Sequence, residues 1–243
     1  MKTALITGMH GMIAPKVASN LERRGIRWVA WDRTDYPEVD DVGSLEYLGR
    51  LKPDYIFHLA YGPIAWTKLL AKFAFEHNIV FAYISTMNVY GDTKGPLTKD
   101  SVLKPNDEYS KYKAACENSV NLVNKNAFIL RLGWQIDEVD VTHPNNMVSY
   151  IESTKDKHHE IFGNCNSYIS ASFNADSSKK IVDIVCEKPS GLYLINSNLN
   201  LNFTQLLKAV IRKYQIKAKV IDAKGEEKNW LMEDPEGFIP WEF

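Results

Sequence analysis

The chain has 243 residues, 45% of them hydrophobic, which is enough for one sizeable core and fits either a single domain or a core with a smaller lobe. Lysine and arginine number 29 against 30 acidic residues, with no long run of one sign, so the sequence gives no sign of a nucleic-acid surface and points to a small-molecule partner. The start, Met1 followed by KTALITG, lacks the pattern of a secretion signal, and no apolar run reaches the roughly 18 residues of a membrane span. The expectation is a soluble cytoplasmic protein with no membrane partner.

In chain order, short runs of apolar β-formers, TALITG (3–8), RWVAWD (27–32), DYIFHLA (54–60), VFAYIST (80–86) and AFILRLG (127–133), alternate with amphipathic stretches predicted as helices over 12–24, 44–51, 66–77 and 107–125. Near-continuous apolar strands alternating with helices predict an α/β fold with a parallel sheet covered on both faces. After residue 135 the pattern weakens. Residues 136–180 read as polar and irregular, GLYLI (191–195) as a strand, NFTQLLKAVIRKYQ (202–215) as a helix and KAKVIDA (217–223) as a strand. The expected division is a core over 1–135 and a small lobe over 136–243, packed as one unit. Cys116, Cys165 and Cys186 are odd in number and far apart, and His158 and His159 lie in the charged run ESTKDKHHE, so neither a disulfide framework nor a metal site is expected.

Two features carry chemistry. TGMHGMIAPKVASNLERRG places Gly8 and Gly11 in a strand-to-helix turn and Ala14 and Pro15 in the first helical turn, an arrangement in which open backbone N–H groups and the helix dipole stabilise a pyrophosphate. Asp32 ends the second predicted strand about twenty residues on, where a carboxylate hydrogen-bonds the hydroxyls of an adenosine ribose. That carboxylate would repel a 2′-phosphate, so NAD is expected, while Arg33 beside it could accept a 2′-phosphate and keeps NADP possible. The second feature is NDEYSKYKAACENSV, in which Tyr109 and Lys113 stand four apart, on one helix face about 5–6 Å from each other at Cβ. A lysine charge favours the phenolate of a neighbouring tyrosine and lowers its pKa.

TGxxGxxA, PDYIFHLA, STMNVYGD and YSKYK, in this order, resemble the extended short-chain dehydrogenase/reductases, over about residues 1–135. Within them the chain is most similar to the nucleotide-sugar branch, particularly the dTDP-4-dehydrorhamnose reductases, because the path from the second strand through WDRTDYPEVDDVGSLEYLGRLKPDYIFHLA is as short as in that group. The resemblance implies a Rossmann-type doubly wound sheet with a small C-terminal substrate-binding lobe. It also implies NAD or NADP as cofactor, a nucleotide sugar as substrate and a homodimer as an open option. Tyr109 and Lys113 match the catalytic YxxxK pair, and Thr86 matches the catalytic Ser/Thr. Cofactor contacts fall on Gly8, His10, Gly11, Met12, Ile13, Asp32, Arg33, Asp41, Val42, Leu59, Ala60 and Tyr61, with Tyr109 and Lys113. Asp41 and Val42 take the adenine positions.

The implied reaction is carbonyl reduction, with Lys113 holding the nicotinamide ribose and lowering the pKa of Tyr109, Tyr109 giving the proton and Thr86 steadying the oxygen. The related dehydratases carry an Asp-Glu pair after the Thr. Met87 and Asn88 stand there instead, and neither does acid–base work. Substrate contacts are expected at Thr86, Asn88, Arg131, Trp134, Asn145 and Asn146. The segment YGPIAW is much shorter than its counterpart in the family, and the C-terminal region is abbreviated. A C4 epimerase and a non-catalytic dinucleotide-binding subunit are the alternatives.

Overall fold

A computed structural model describes residues 1–137, 143, 146–155 and 158–233 of the chain. The first half is a strict alternation: β1 (Thr3–Thr7), α1 (Ala14–Arg23), β2 (Arg27–Ala30), α2 (Asp41–Leu51), β3 (Tyr55–His58), α3 (Ile64–Glu76), β4 (Val80–Thr86), a 3-10 turn (Met87–Tyr90), α4 (Glu108–Val123) and β5 (Phe128–Leu132). The second half holds β6 (Trp134–Ile136), α5 (Met147–Thr154), β7 (Glu160–Phe162), β8 (Ser167–Ile169), β9 (Ala171–Phe173), α6 (Asn174–Glu187), β10 (Gly191–Ile195), α7 (Phe203–Lys213), β11 (Lys219–Ile221) and β12 (Lys228–Trp230).

Six strands form one parallel sheet in the order β10-β5-β4-β3-β1-β2. Side chains alternate between its faces, as the pleat dictates. Ala4 and Ile6 of β1 pack with Val17 and Leu21 of α1 and with Ile181, Val182 and Val185 of α6. Leu5 of the same strand turns the other way, towards Leu70, Ala71 and Ala74 of α3 and Cys116 and Val120 of α4. Each fully buried side chain of this kind contributes about 1.5–3 kcal/mol, so the two layers fix the strand ends firmly. From β1 the chain winds out to β2 and then crosses back to β3, so the winding reverses between β1 and β3. The crevice beyond the carboxyl ends of these strands is where such sheets bind ligands.

Two expectations about the second half are corrected. The strand at 191–195, placed with the small lobe, is an edge strand of the main sheet and pairs with β5 from Gly191↔Phe128 to Ile195↔Leu132. Residues 136–180, read as irregular, contain α5, three strand segments and the start of α6. The first turns of α6 bury Asn174, Ser177 and Ser178. Asn20 of α1 donates to the Ser178 hydroxyl at 3.2 Å, so this helix face is polar where a hydrophobic stripe would have announced it. The remaining elements form a smaller core around Ile136, Met147, Ile151, Ile161, Phe203, Leu206 and Val210. The capped helix ends also explain shifted boundaries. Asp40 accepts from the Gly43 amide at 3.0 Å, which starts α2 at Asp41 and not at residue 44.

The long helix α4 is anchored by a buried ion pair. Its Glu117 faces Arg131 of β5, with Nη2 to Oε2 at 2.6 Å and Nε to Oε1 at 3.0 Å, and Ser85 of β4 donates to the same carboxylate at 2.5 Å. Arg131 also donates to the Tyr90 hydroxyl at 2.7 Å. Removing one partner of a buried pair strands the other charge. Glu117→Leu is therefore expected to lose about 3–5 kcal/mol in urea unfolding, and adding Arg131→Met to recover most of it. Equal stabilities of the single variant and wild type would show that the pair does not hold α4.

Candidate active site

The glycine turn is built from two close approaches. Gly8 has φ +82°, and a Cβ there would lie 2.9 Å from the Ala60 amide nitrogen, so only glycine brings β1 this near the exit of β3. The Gly11 amide closes the turn onto the Gly8 carbonyl at 2.8 Å. Helix α1 then starts at Ala14 with Ile13 as its flanking residue, and no side chain caps it. An uncapped helix start behind an exposed glycine turn fits a pyrophosphate. The turn is braced from the second half of the chain. Asn174 donates to the Met12 carbonyl at 2.6 Å and to Asp137 at 2.8 Å, and Asp137 pairs with Lys16 of α1 at 3.1 Å.

Beneath the turn runs a buried relay. The Thr7 hydroxyl oxygen accepts from the Leu59 and Ala60 amides at 3.1 Å each, so its proton points to His58 Nδ1 at 2.9 Å. His58 Nε2 then carries the ring proton and donates to Thr67 at 2.9 Å. Burial, followed by the charges of Lys113 and Arg33, pulls His58 down to about 3, in keeping with a neutral ring. These bonds set the backbone of Leu59 and Ala60 at the reversal point of the sheet. Leu59 is half-buried, Ala60 buried and Tyr61 exposed.

At the end of β2, Asp32 is exposed and accepts from the Thr34 amide at 2.7 Å. This bond leads the causes that hold its carboxyl below the ordinary value, and nearby His10 adds to it. Arg33 donates to the Tyr61 carbonyl, pairs with Glu38 at 3.2 Å and lies 5.5 Å over the Trp66 ring. Asp41 and Val42 occupy the exposed first turn of α2.

The expected catalytic residues Thr86, Tyr109 and Lys113 lie together where β4 ends. Asp107 and Ser110 form a capping box that starts α4 and places Tyr109 in its first turn. The Thr86 side chain lies close enough to the Tyr109 phenol to act on its pKa. Thr86 also accepts from the Asn88 amide at 3.3 Å. Lys113, only 6% exposed, donates to the Ile84 carbonyl at 2.8 Å and stands 4.9 Å from the Tyr83 ring centroid and 6.0 Å from that of Tyr109. Burial lowers Lys113 to about 8, opposed by Cys116 and Glu117. The expectation that Lys113 draws down the Tyr109 phenol is corrected. Tyr109 is 44% exposed, yet partial desolvation, then the Asp107 carboxylate, raises it, against the neighbouring Thr86 side chain. One of the three ammonium hydrogens goes to the Ile84 carbonyl.

Three further expectations fare differently. Arg131 is buried against Glu117 and Tyr90 and is not presented to a substrate. Asn146 is buried as the cap of α5, accepting from the Val148 and Asp137 amides at 3.1 and 3.0 Å and donating to the Asp137 carbonyl at 2.7 Å. Trp134 packs edge-on against Tyr150, with centroids 5.1 Å apart, in the small core. Asn88 is exposed beside Thr86, and Asn145 lies outside the described residues. The sequence reading passed over Thr7, His58, Glu117 and Tyr112, although the first two stand directly before the turn residues it did single out.

A six-stranded parallel sheet with a glycine turn after β1 and its ligand crevice at the strand ends is a Rossmann-type doubly wound fold. A family model described as the RmlD substrate binding domain matches residues 63–223, and the chain belongs to that family. Among solved structures, a dTDP-4-dehydrorhamnose reductase from Bacillus anthracis in complex with NADP is 17% identical with a TM-score of 0.81, over 99% of this chain and 94% of that one. The dTDP-4-dehydrorhamnose reductase from Clostridium acetobutylicum is 20% identical with a TM-score of 0.78, over 97% and 88%. A UDP-N-acetylglucosamine 4-epimerase from Bacillus cereus is 18% identical with a TM-score of 0.77, over 97% and 91%. At these identities the likeness is one of fold. No curated protein matches the chain.

The relay under the turn has a pH signature. His58 stays neutral in the folded chain to about pH 3, while its ordinary value is 6.5. The unfolded chain therefore binds a proton that the folded one does not. The stability involved is intact above about pH 6.5 and falls with pH from there towards 3, by up to about 1.4 kcal/mol per unit. Thermal melts from pH 7.5 to 4.5 are expected to show a smaller drop in Tm for His58→Gln than for wild type, and parallel drops would contradict the relay.

Proposed function

We propose that the chain is a nicotinamide-dependent reductase of a nucleotide-linked keto sugar, acting in the cytoplasm on a C4 carbonyl and leaving the nucleotide attached. One observation carries this reading. Thr86, Tyr109 and Lys113 converge at the end of β4, and the two residues after Thr86 are a buried Met87 and an exposed Asn88. The constellation delivers a proton to a carbonyl oxygen and has no carboxylate after Thr86 to abstract one from the neighbouring carbon. Family membership and the fold shared with dTDP-4-dehydrorhamnose reductases support the substrate class.

In this reading the Gly8–Gly11 turn and the open start of α1 hold the pyrophosphate, and Asp32 takes the ribose hydroxyls. A bound nicotinamide cofactor supplies the hydride. Tyr109, like any phenol, holds its proton at neutral pH, and it donates that proton to the substrate oxygen as negative charge develops. Thr86 steadies the same oxygen through its hydroxyl. Lys113, fixed on the Ile84 carbonyl, supplies positive charge behind the phenol and a donor for the ribose. Residues after 135 form most of the sugar pocket.

Tyr109→Phe is expected to reduce turnover by about 10²–10⁴ while NADH affinity stays within a few-fold, because the lost hydroxyl acts mainly in the transition state. Wild-type turnover in that variant would remove Tyr109 from the mechanism. With NADH and dTDP-4-keto-6-deoxyglucose, before and after epimerisation, the product is expected to gain two hydrogens. Isomerisation without net cofactor use would favour a C4 epimerase, and inertness to every keto sugar a non-catalytic subunit.

A further inference from the structure

The short connection between β3 and α3 runs over residues 59–63 and is held more tightly than a five-residue surface loop requires. The Gly62 amide donates to the Tyr112 hydroxyl at 3.1 Å, and the Tyr61 and Tyr112 rings lie with centroids 4.1 Å apart. Tyr112 stands on α4 between Tyr109 and Lys113 in sequence, so these contacts join the loop to the reacting helix. A Cβ at Gly62 would meet the Trp66 ring at 3.0 Å, which keeps that residue small. The third hold comes from the other end of the cofactor site. Arg33, one residue after Asp32, donates to the Tyr61 carbonyl, pairs with Glu38 at 3.2 Å and covers the Trp66 ring at 5.5 Å. Its fork therefore has a carbonyl on one nitrogen, a carboxylate on the other and an aromatic face beneath.

The surroundings of Arg33 are acidic. DRTDYPEVDD, residues 32–41, contains Asp32, Asp35, Glu38, Asp40 and Asp41 and a single basic residue, Arg33. Of the other basic groups nearby, Arg50 lies 5.9 Å from the Tyr36 ring centroid and donates to the Tyr36 hydroxyl at 3.0 Å, and His10 faces Asp32. A phosphate on the ribose 2′ oxygen would bring close to two negative charges into this field. It would gain a cation only by taking Arg33 from Glu38 and from the loop.

We propose that Arg33 is the strap of the short β3–α3 loop and not a receptor for a 2′-phosphate, and that, with Arg33 held by Tyr61, Glu38 and Trp66, the acidic residues of 32–41 make the site selective for NADH over NADPH. Arg33 is thus a positioning residue that couples the adenosine end of the cofactor site to the rim beside Tyr112. The inference rests on the cofactor reading above, yet one of its consequences, a loosened loop when the strap is cut, is visible in the cofactor-free chain.

The experiment uses the full chain as wild type, Arg33→Met and Arg33→Lys, the last keeping the charge but not the fork. Cofactor-free hydrogen exchange at the Gly62 amide is read first, and dissociation constants for NADH and NADPH are then measured by calorimetry. Gly62 exchange is expected to speed up at least tenfold in both variants. Wild type is expected to bind NADH at least tenfold more tightly than NADPH, and Arg33→Met to keep that ratio within threefold or shift it towards NADPH. Unchanged Gly62 exchange, a wild-type preference for NADPH, or a selective tenfold loss of NADPH binding in Arg33→Met would each overturn the proposal. Should wild type bind neither cofactor, the reductase reading and the selectivity would fall together, and the exchange result would still decide the strap.

Discussion

One buried carboxylate, Glu117, holds the geometry on which the site depends. It sits on α4 two turns beyond Tyr109 and receives Arg131 from β5 and Ser85 from β4, so a helix and the ends of two neighbouring strands share one ionic knot. Lys113, one turn before it, reaches the Ile84 carbonyl of the same β4 strand. Together these bonds fix the rotation and height of α4 against β4, and therefore where Tyr109 stands relative to the end of that strand. Ions buried this deeply are costly unless every lone pair and proton is used. Here the guanidinium, both carboxylate oxygens, the Ser85 hydroxyl and the Tyr90 hydroxyl are engaged with one another.

The opposite side of the crevice is held by neutral groups. Thr7, His58 and Thr67 pass hydrogen bonds from β1 to β3 to α3, and the glycine turn depends on the Leu59 and Ala60 amides that Thr7 receives. A charged ring would set a second N–H, at Nδ1, against a Thr7 hydroxyl whose oxygen already accepts from two amides, and burial keeps the ring neutral. The second half of the chain contributes through Asn174 and Asp137, which grip the turn at Met12 and Lys16. The division between a core and a substrate lobe is thus crossed by bonds on the cofactor side, and β10 completes the sheet from beyond it.

Much of this was legible in the residues because the relevant signals are local. Five apolar strands, the glycine turn, Asp32 and the Tyr109–Lys113 spacing each lie within a short window, and α1, α3 and α4 formed close to their expected places. What stayed hidden depends on partners far apart in sequence. Arg131 resembled a substrate contact until the structure put Glu117 opposite it, and Asn146 did so until it capped α5. The start of α6 was missed because buried Asn174, Ser177 and Ser178 precede its apolar residues from Ile181 on, and GLYLI was recognisable as a strand but not as a member of the main sheet. The direction of the Tyr109 shift followed from desolvation and Asp107, neither of which i,i+4 spacing reveals.

The proposed reaction at the end of β4 is one chemical event, in which a hydride would arrive at a sugar carbon while Tyr109 would protonate the oxygen on it. The most direct measurement is isotope transfer. NADH carrying deuterium at both C4 positions of the nicotinamide is incubated with the full chain and a dTDP-linked 4-keto-6-deoxy sugar, and the product is read by NMR. Deuterium bonded to C4 of the sugar, in proportion to NADH consumed, is the predicted result. A sugar alcohol without deuterium at C4, or a sugar changed at C4 with the NADH intact, would contradict it.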